Sequence, residues 1–278
     1  PTILLMKRRQ FVQLACAATL ATTPHLPGTI TIGREPFKRS GPARFRLGLA
    51  AYSMREYFRF MKGKVKTPRE DGAPIDMVGF LDYCVANEVE AAELTSYFFP
   101  PNANADYFRK LKHEAFVRGV TISGTAIGNN FTVGQGDRLQ QEIAATIKWI
   151  DHAAELGAPH IRIFAGTGRE IQQEPKRIDE AIEVSSAWVG MNLDTGNFFS
   201  DNPYRDLERC VDYAVNVQVK LMMTSPEKKK YPADMDRIAS ILRKSGYQGF
   251  VILEYEEDSA YEEIPDAIKQ LRTALETA

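Results

Sequence analysis

The 278-residue chain is close to electrical neutrality and has the composition of a globular protein. It carries 35 basic and 36 acidic residues, and 44% of its residues are hydrophobic. This balance gives no overall field that would favour nucleic acid or an anionic membrane, and the composition excludes a disordered or fibrous chain. The length suffices for one large core or two small ones, and a small neutral or weakly charged ligand is the partner class best suited to such a surface.

The N-terminal stretch resembles an export signal. Residues 6–13 include Lys7, Arg8 and Arg9, and residues 14–21 form a short apolar run. A positive segment before a short apolar segment is typical of a signal peptide, and the paired arginines resemble the twin-arginine type. The run is shorter than the roughly 20 residues that span a bilayer, so no stable membrane span is expected. We predict export to the periplasm or the extracellular space, with an amphipathic first helix or a retained anchor as the alternatives.

Residues 22–43 are rich in proline and predict a cleavage region and linker, which divides the chain into a signal and linker (1–43) and a folded domain (44–278). Strand-like and helix-like segments alternate through the domain. The strands are predicted at 45–51, 89–94, 120–126, 159–164, 189–194, 215–220 and 249–254. The helices are predicted at 74–88, 103–118, 136–156, 202–214, 232–246 and 261–278, with a further one from Glu174 to about Val184.

This alternation predicts an α/β fold with a parallel sheet and crossover helices. No glycine-rich phosphate loop follows the first strand, where a dinucleotide-binding fold would place one. The pattern therefore favours a (β/α) TIM barrel over an open doubly wound sheet. A complete barrel has eight strands, so the seven recognised strands indicate that one βα unit is absent or unrecognised.

Polar side chains occur at the ends of the last three strands. Because side chains alternate between the two faces of a strand, Asp194 shares a face with Asn192, and Gln218 shares a face with Lys220. Active sites of (β/α) barrels lie at the carboxyl ends of the strands, so Asp194, Gln218 and Glu254 are expected to converge. Two carboxylates and an amide oxygen suit Mn²⁺ or Mg²⁺, with Zn²⁺ as a further option. In the alternative interpretation, Asp194 caps the following turn and Glu254 pairs with Lys220.

Other polar residues on inward faces are candidates for binding sugar hydroxyls. They are Glu93, Asn129, Arg162 and Asn197. A salt bridge between Glu93 and Arg162 inside the barrel is an equal alternative. Aromatic residues of the loops after the second and third strands, namely Tyr97, Phe98, Phe99 and Phe131, are predicted to form an apolar wall for a sugar ring or a cover over the barrel mouth. The histidines, His25, His113, His152 and His160, are predicted to be surface residues.

Three short segments together resemble the xylose isomerase-like sugar phosphate isomerase/epimerase barrels. They are residues 193–197 (Leu-Asp-Thr-Gly-Asn), 217–220 (Val-Gln-Val-Lys) and 253–255 (Leu-Glu-Tyr). Residues 92–94, 123–126 and 161–164 are similar to further segments of that family. The resemblance spans about residues 44–278, and it depends on the order and spacing of the segments rather than on any one of them.

The resemblance implies a divalent metal held by a Glu, an Asp, a His and a Glu from four successive late strands, with the two glutamates moving protons at adjacent sugar carbons. Asp194 and Glu254 match the Asp and the final Glu. Gln218 stands at the His position, and Asn197 stands where many members have a substrate-contacting His. The first Glu has no match, so the missing βα unit is expected near residues 184–185.

These observations predict a divalent-metal-dependent sugar isomerase/epimerase that moves a proton between neighbouring carbons. Glu254 is the expected proton carrier and metal ligand, and Lys220 or Arg162 would stabilise negative charge. One alternative is a metal-dependent sugar lyase or dehydratase, which needs only one base. The other is a non-catalytic, exported carbohydrate-binding barrel. The expected partner is a small sugar, and the sequence is compatible with a homo-oligomer.

Overall fold

A parallel β-sheet organises the part of the chain that the computed structural model describes, which is residues 36–134, 136–164 and 189–277. The strands in these residues are β1 (Arg44–Ala50), β2 (Phe60–Met61), β3 (Lys64–Val65), β4 (Ala91–Thr95), β5 (Thr121–Ala126), β6 (Ile161–Arg162), β7 (Met191–Asp194), β8 (Ala214–Val219), β9 (Met222–Thr224), β10 (Lys230–Pro232) and β11 (Gln248–Leu253). Seven of them coincide with the predicted strands to within a few residues.

The helices of the same residues are α1 (Met77–Ala86), α2 (Ala105–Val117), α3 (Asp137–Leu156), α4 (Pro203–Cys210), α5 (Met235–Lys244) and α6 (Ala260–Thr277). Their ends follow from local chemistry. The side chain of Asn202 accepts a hydrogen bond from the backbone N–H of Arg205, and Pro203 occupies the first turn of α4. Gly157 ends α3 in a left-handed conformation with φ of 78°. Both features were expected from the sequence.

Seven strands form one sheet in the order β6-β5-β4-β1-β11-β8-β7. Every neighbouring pair is parallel. The sheet curves into a nearly closed α/β barrel whose two ends are β6 and β7, which confirms the predicted seven-stranded TIM-type fold. The predicted helix from Glu174 and the proposed missing unit near residues 184–185 lie outside the described residues, as does the proposed export signal.

The hydrophobic core lies between the outer faces of the strands and the helices. Fully or almost fully buried strand residues in it include Leu49, Val217, Val219, Val251 and Leu253, and the helices contribute Phe80, Leu111, Ile238, Ile268 and Leu271. Val217 and Val219 alternate with polar residues along β8, and residues 250–253 of β11 form an apolar run, so both strands were recognisable in the sequence. No helix of the described ranges has both the length and the apolar character needed to cross a membrane.

The end of the predicted linker packs on the amino-terminal side of the barrel. The backbone N–H of Phe37 donates to the carbonyl of Asp212 at 3.0 Å. The amide of Gln248 donates to the carbonyls of Ser40 at 2.6 Å and Pro42 at 3.0 Å. Residues 37–42 are therefore held against the barrel just before β8 and at the start of β11. The division of the chain at residue 43 stays a prediction.

Two short antiparallel hairpins were not predicted. Strands β2 and β3 pair after β1, and strands β9 and β10 pair after β8. Each of these strands has two or three residues, which is too short for an alternating pattern to be visible in the sequence.

Candidate functional site

Inward-facing polar side chains from β4 and from the three adjacent strands β11, β8 and β7 meet at the carboxyl end of the barrel. Glu93 comes from β4, Asp194 from β7, Gln218 from β8, and Glu254 directly follows β11. The register places Asp194 beside Gln218, and Gln218 beside the residue two positions before Glu254. The structure therefore brings the three sequence-predicted ligands together and adds Glu93 from a strand more than 100 residues earlier in the chain.

Gln218 lies at the centre of this group. Its Nε2 donates to Glu93 Oε1 at 2.8 Å and lies 3.4 Å from Glu254 Oε1. Its Oε1 accepts from Asn192 Nδ2 at 2.6 Å. The amide therefore presents hydrogens to two carboxyl groups, and its oxygen is occupied by a neighbouring asparagine.

Asn216 closes the network on the other side of Glu93. Its Nδ2 donates to Glu93 Oε2 at 3.1 Å and to Asn192 Oδ1 at 2.8 Å. Among the described residues, its Oδ1 is buried without a hydrogen-bond partner. Asn216 was not among the predicted site residues, although its place on the same face as Gln218 was visible from the alternation of β8.

Glu93 is only 1% exposed. Burial raises the pKa of its carboxyl to about 7, against the opposing effects of the Arg162 charge and of hydrogen bonds from Asn216 and Gln218, while the charge of Asp194 raises it further. A carboxyl group with this pKa changes its protonation state near neutral pH, which suits a group that exchanges protons.

Lys220 carries its ammonium group into the midst of three carboxylates. Its Nζ lies 3.3 Å from Asp194 Oδ2, 3.3 Å from Glu254 Oε2 and 3.1 Å from Glu256 Oε2. The backbone N–H of Gly196 donates to Asp194 Oδ1 at 3.2 Å. Both contacts of the alternative sequence interpretation, the capping role of Asp194 and the Lys220–Glu254 pair, are thus present.

The charges of this cluster perturb one another strongly. Burial raises the pKa of Glu254 to about 8, and the negative charge of Asp194 raises it further while Lys220 opposes the shift. Burial likewise raises the pKa of Asp194 despite the nearby ammonium. Burial alone would lower the pKa of Lys220. The three carboxylates have a larger combined effect and hold this pKa above its usual range. Lys220 therefore stays charged, whereas Glu254 can gain or lose a proton near neutral pH.

The remaining predicted substrate-binding residues have distinct surroundings. The side-chain amide of Asn129 makes two hydrogen bonds with the backbone of Phe164. Its Nδ2 donates to the Phe164 carbonyl at 2.7 Å, and its Oδ1 accepts from the Phe164 N–H at 2.9 Å. Asn197 donates to Asp194 Oδ2 at 2.6 Å. The guanidinium carbon of Arg162 lies 4.0 Å from the centre of the Phe164 ring, and its Nε and Nη1 are buried without a partner among the described residues.

The aromatic wall predicted from Phe98 and Phe99 is wrong. The two side chains are 1% and 3% exposed and belong to the core, where Phe98 stacks on Phe58 at 4.4 Å and Phe99 stacks on Trp149 at 5.9 Å. A short 3₁₀ turn (residues 96–98) follows β4, and from it Phe99 also packs on Phe108 of α2, in the core between the strands and the helices.

Tyr52 is an aromatic residue that the sequence reasoning missed. It lies just beyond β1, with its ring centre 6.5 Å from that of Tyr97. Burial raises its pKa, Arg55 opposes the shift, and Glu256 and Glu254 add to it, so the phenol lies near the carboxylates. Tyr52 follows the last residue of β1 by two positions, and this place at the carboxyl end of a strand is the sequence signal that could have identified it.

The prediction of a surface position is wrong for His160. A Cβ built on Gly124 would lie 2.3 Å from the His160 ring, so the imidazole occupies the space that this glycine leaves free. Its Nε2 is buried without a partner among the described residues. Burial lowers the pKa of the imidazole to about 4.

The described donors do not fit a divalent metal ion. Within the described ranges, no group of three His, Cys, Asp or Glu side chains is arranged to hold one. Gln218 directs its NH₂ group, not its oxygen, towards Glu254, and the Lys220 ammonium stands between Asp194 and Glu254. Divalent ions of this class require oxygen ligands and are repelled by an ammonium. The described residues therefore do not support the predicted Mn²⁺, Mg²⁺ or Zn²⁺ centre.

Known structures share the fold. The xylose isomerase domain protein from Planctomyces limnophilus aligns with a TM-score of 0.56 at 10% identity, over 85% of this chain and 98% of that one. A 3-keto-D-glucoside 4-epimerase from E. coli aligns with a TM-score of 0.55 at 14% identity, over 83% of this chain and 100% of that one. A D-psicose 3-epimerase from Clostridium cellulolyticum H10, solved with D-tagatose, aligns with a TM-score of 0.52 at 12% identity, over 83% and 99%.

No protein-family model and no curated protein matches the sequence. The structural likeness shows the fold, an α/β TIM barrel that the chain shares with the xylose isomerase domain protein and the two epimerases.

Proposed function

We propose that this protein is a sugar isomerase/epimerase that transfers a proton between adjacent carbons of a sugar or ketosugar. The observation that carries the proposal is Glu254, a buried carboxyl group at the end of β11 whose pKa is raised to about 8. The presence of two sugar epimerases among proteins of the same fold supports this substrate class.

Glu254 is the proposed proton carrier. Removal of a proton next to a carbonyl requires a base whose conjugate acid has a pKa near the working pH, since the same group must return the proton to the neighbouring carbon. Its two oxygens face Gln218 Nε2 and Lys220 Nζ, which orient the carboxyl group. In the proposed step Glu254 takes a proton from the hydroxyl-bearing carbon, which gives an enediolate-like intermediate. The hydroxyl proton passes to the former carbonyl oxygen, the carbonyl forms at the first carbon, and Glu254 delivers its proton to the neighbouring carbon.

Lys220 and Arg162 are the proposed sources of positive charge. A buried cation stabilises a developing oxyanion more strongly than one in water, because little solvent screens it. Two nitrogens of Arg162 have no hydrogen-bond partner among the described residues, so in the proposal they donate to a substrate oxygen without giving up a hydrogen bond. No step of this proposal passes through a divalent metal, because the described donors do not fit one.

Two further parts of the proposal rest on the sequence. Residues 6–21 support export by the twin-arginine route and so a periplasmic or extracellular site of action. The small-sugar partner agrees with the near-neutral charge of the chain and with the amide and carboxyl groups of the site, which match sugar hydroxyls. A homo-oligomer stays a prediction.

The test is exchange of carbon-bound hydrogen with solvent. Aldoses, ketoses and ketoglycosides are incubated with the protein in D₂O, with chelator or with added Mn²⁺, Mg²⁺ or Zn²⁺, and followed by NMR. An isomerase/epimerase incorporates deuterium at the reacting carbon and yields a second sugar. A lyase or dehydratase instead yields an unsaturated product, and a binding barrel shifts sugar resonances without exchange.

The variant Glu254→Gln should lower the rate of exchange roughly 100-fold or more, because the amide cannot carry the proton. The control Glu276→Gln changes an exposed carboxyl group on α6 and should leave the rate as in the wild type. Undiminished exchange in folded Glu254→Gln would refute the assigned role, and the absence of exchange with every sugar would refute the proposed activity.

A further inference from the structure

The side chains around Lys220 form a cation site that the chain fills by itself. We define the lysine cluster as Lys220, Asp194, Glu254 and Glu256. An ammonium group has three N–H bonds, and three carboxylate oxygens lie 3.1 to 3.3 Å from the Lys220 nitrogen. The ammonium therefore stands where the three carboxylates meet.

The cluster is largely shielded from solvent. The side chains of Lys220, Asp194 and Glu254 are 11%, 14% and 10% exposed, and that of Glu256 is 33% exposed. Water and salt therefore screen these contacts less than they would at the surface. Removing the ammonium would leave carboxylates facing one another without a counter-charge, which is unfavourable in a buried site.

The backbone makes room for the lysine. A Cβ built on Gly196 would lie 2.5 Å from Cδ of Lys220 and 3.1 Å from its Cβ and Cγ, so the glycine admits the lysine stem. The backbone N–H of Lys220 donates to Thr195 Oγ1 at 3.2 Å. The turn Thr195–Asn197, which directly follows Asp194, thus shapes the space that the lysine occupies.

Glu254 is surrounded by nitrogen donors of Gln218 and Lys220. Both oxygens of Glu254 face nitrogen donors, with Oε1 towards Gln218 and Oε2 towards Lys220. A divalent ion would need carboxylate and carbonyl oxygens directed at itself. The site instead surrounds Glu254 with N–H groups.

We infer that Lys220 is the resident cation of this site and takes the place of a divalent ion, so that the wild-type site holds Asp194 and Glu254 together without a metal. Lys220 is in this sense a positioning residue, since it sets the orientation of the Glu254 carboxyl group and keeps its own protons. The consequence for catalysis rests on the proposed function, whereas the position of the cation does not.

The test measures Mn²⁺ binding to the full chain by calorimetry and by electron paramagnetic resonance, after treatment with chelator and its removal. The wild type should show no stoichiometric Mn²⁺ site. Lys220→Met replaces the ammonium with an apolar side chain of similar length and should raise Mn²⁺ affinity by roughly 10- to 100-fold, because a like charge is removed from beside the carboxylates. The double variant Lys220→Met/Glu254→Gln should lose this gain.

Two further variants keep the test decisive. In Gly196→Ala the added methyl group would clash with the Lys220 side chain and displace it, so this variant should also raise Mn²⁺ affinity. It replaces Lys220→Met in the test if that variant does not fold. Lys269→Met removes an exposed lysine that pairs with Asp266 on α6, and it should leave Mn²⁺ binding unchanged.

A stoichiometric Mn²⁺ site in the wild type that Asp194→Asn abolishes would overturn the inference. So would a folded Lys220→Met variant with no gain in Mn²⁺ affinity. Mn²⁺ binding is measured without sugar, so a failure of the exchange assay would refute the proposed activity and leave this result standing. If the wild type does exchange sugar hydrogens, its rate should be the same with and without chelator.

Discussion

Replacing Glu93 with glutamine should change how the stability of the protein depends on pH. Glu93 ionises near its ordinary value of 4.5 in the unfolded chain, but burial raises its pKa to about 7 in the folded protein. A group whose pKa is raised on folding contributes stability below its unfolded pKa and loses that contribution as the pH rises through the folded pKa. The relevant window for Glu93 is therefore from about pH 4.5 to about pH 7.

The magnitude follows from the size of the shift. Each pKa unit corresponds to about 1.4 kcal/mol, so the wild type should lose about 3 kcal/mol of unfolding free energy across this window through Glu93 alone. Glu93→Gln cannot ionise and lacks this loss. At acidic pH the variant should be less stable by about 1–3 kcal/mol, because its NH₂ group would face the NH₂ group of Asn216 or Gln218 and leave that donor without an acceptor.

The measurement is urea-induced unfolding followed by circular dichroism at several pH values from about 4.5 to 8, with chelator present throughout. The stability difference between wild type and Glu93→Gln should shift by about 3 kcal/mol in favour of the variant as the pH rises. The exposed-site control Glu276→Gln should run parallel to the wild type. Parallel curves for Glu93→Gln as well would refute the claim that Glu93 is a buried carboxyl group with a raised pKa.

Three further predictions test other parts of the structure. Gly124→Ala should lower the unfolding free energy by about 1–3 kcal/mol in urea titrations, because its Cβ would lie 2.3 Å from the His160 ring; unchanged stability would contradict this packing. The pKa of His160 is lowered to about 4 from its ordinary 6.5, so its stabilising contribution is complete above 6.5 and is lost as the pH falls towards 4, by about 3 kcal/mol. His160→Gln should remove that acid-side loss, and an unaltered pH profile would rule it out. Arg8→Lys/Arg9→Lys should retain the protein in the cytoplasm on cell fractionation, and continued export would exclude the twin-arginine route.

Much of the fold and part of the site could be predicted from local pattern. The seven barrel strands and six helices were recognisable because apolar runs, helical periodicity and capping residues such as Asn202 and Gly157 are local signals. The convergence of Asp194, Gln218 and Glu254 was predictable as well, since parallel strands deliver the residues at their carboxyl ends to one side of a barrel.

The partners of these residues depended on the tertiary structure. Alternation along a strand states which face a side chain occupies, but it does not state which groups lie across the barrel from it. Only the assembled barrel places Glu93 beside Gln218 and sets the Lys220 ammonium among three carboxylates. The charge of a buried site depends on distances between residues far apart in the chain. The sequence by itself therefore determined where the polar side chains gather, and the three-dimensional packing decided that a lysine, rather than an open space for a metal ion, stands between them.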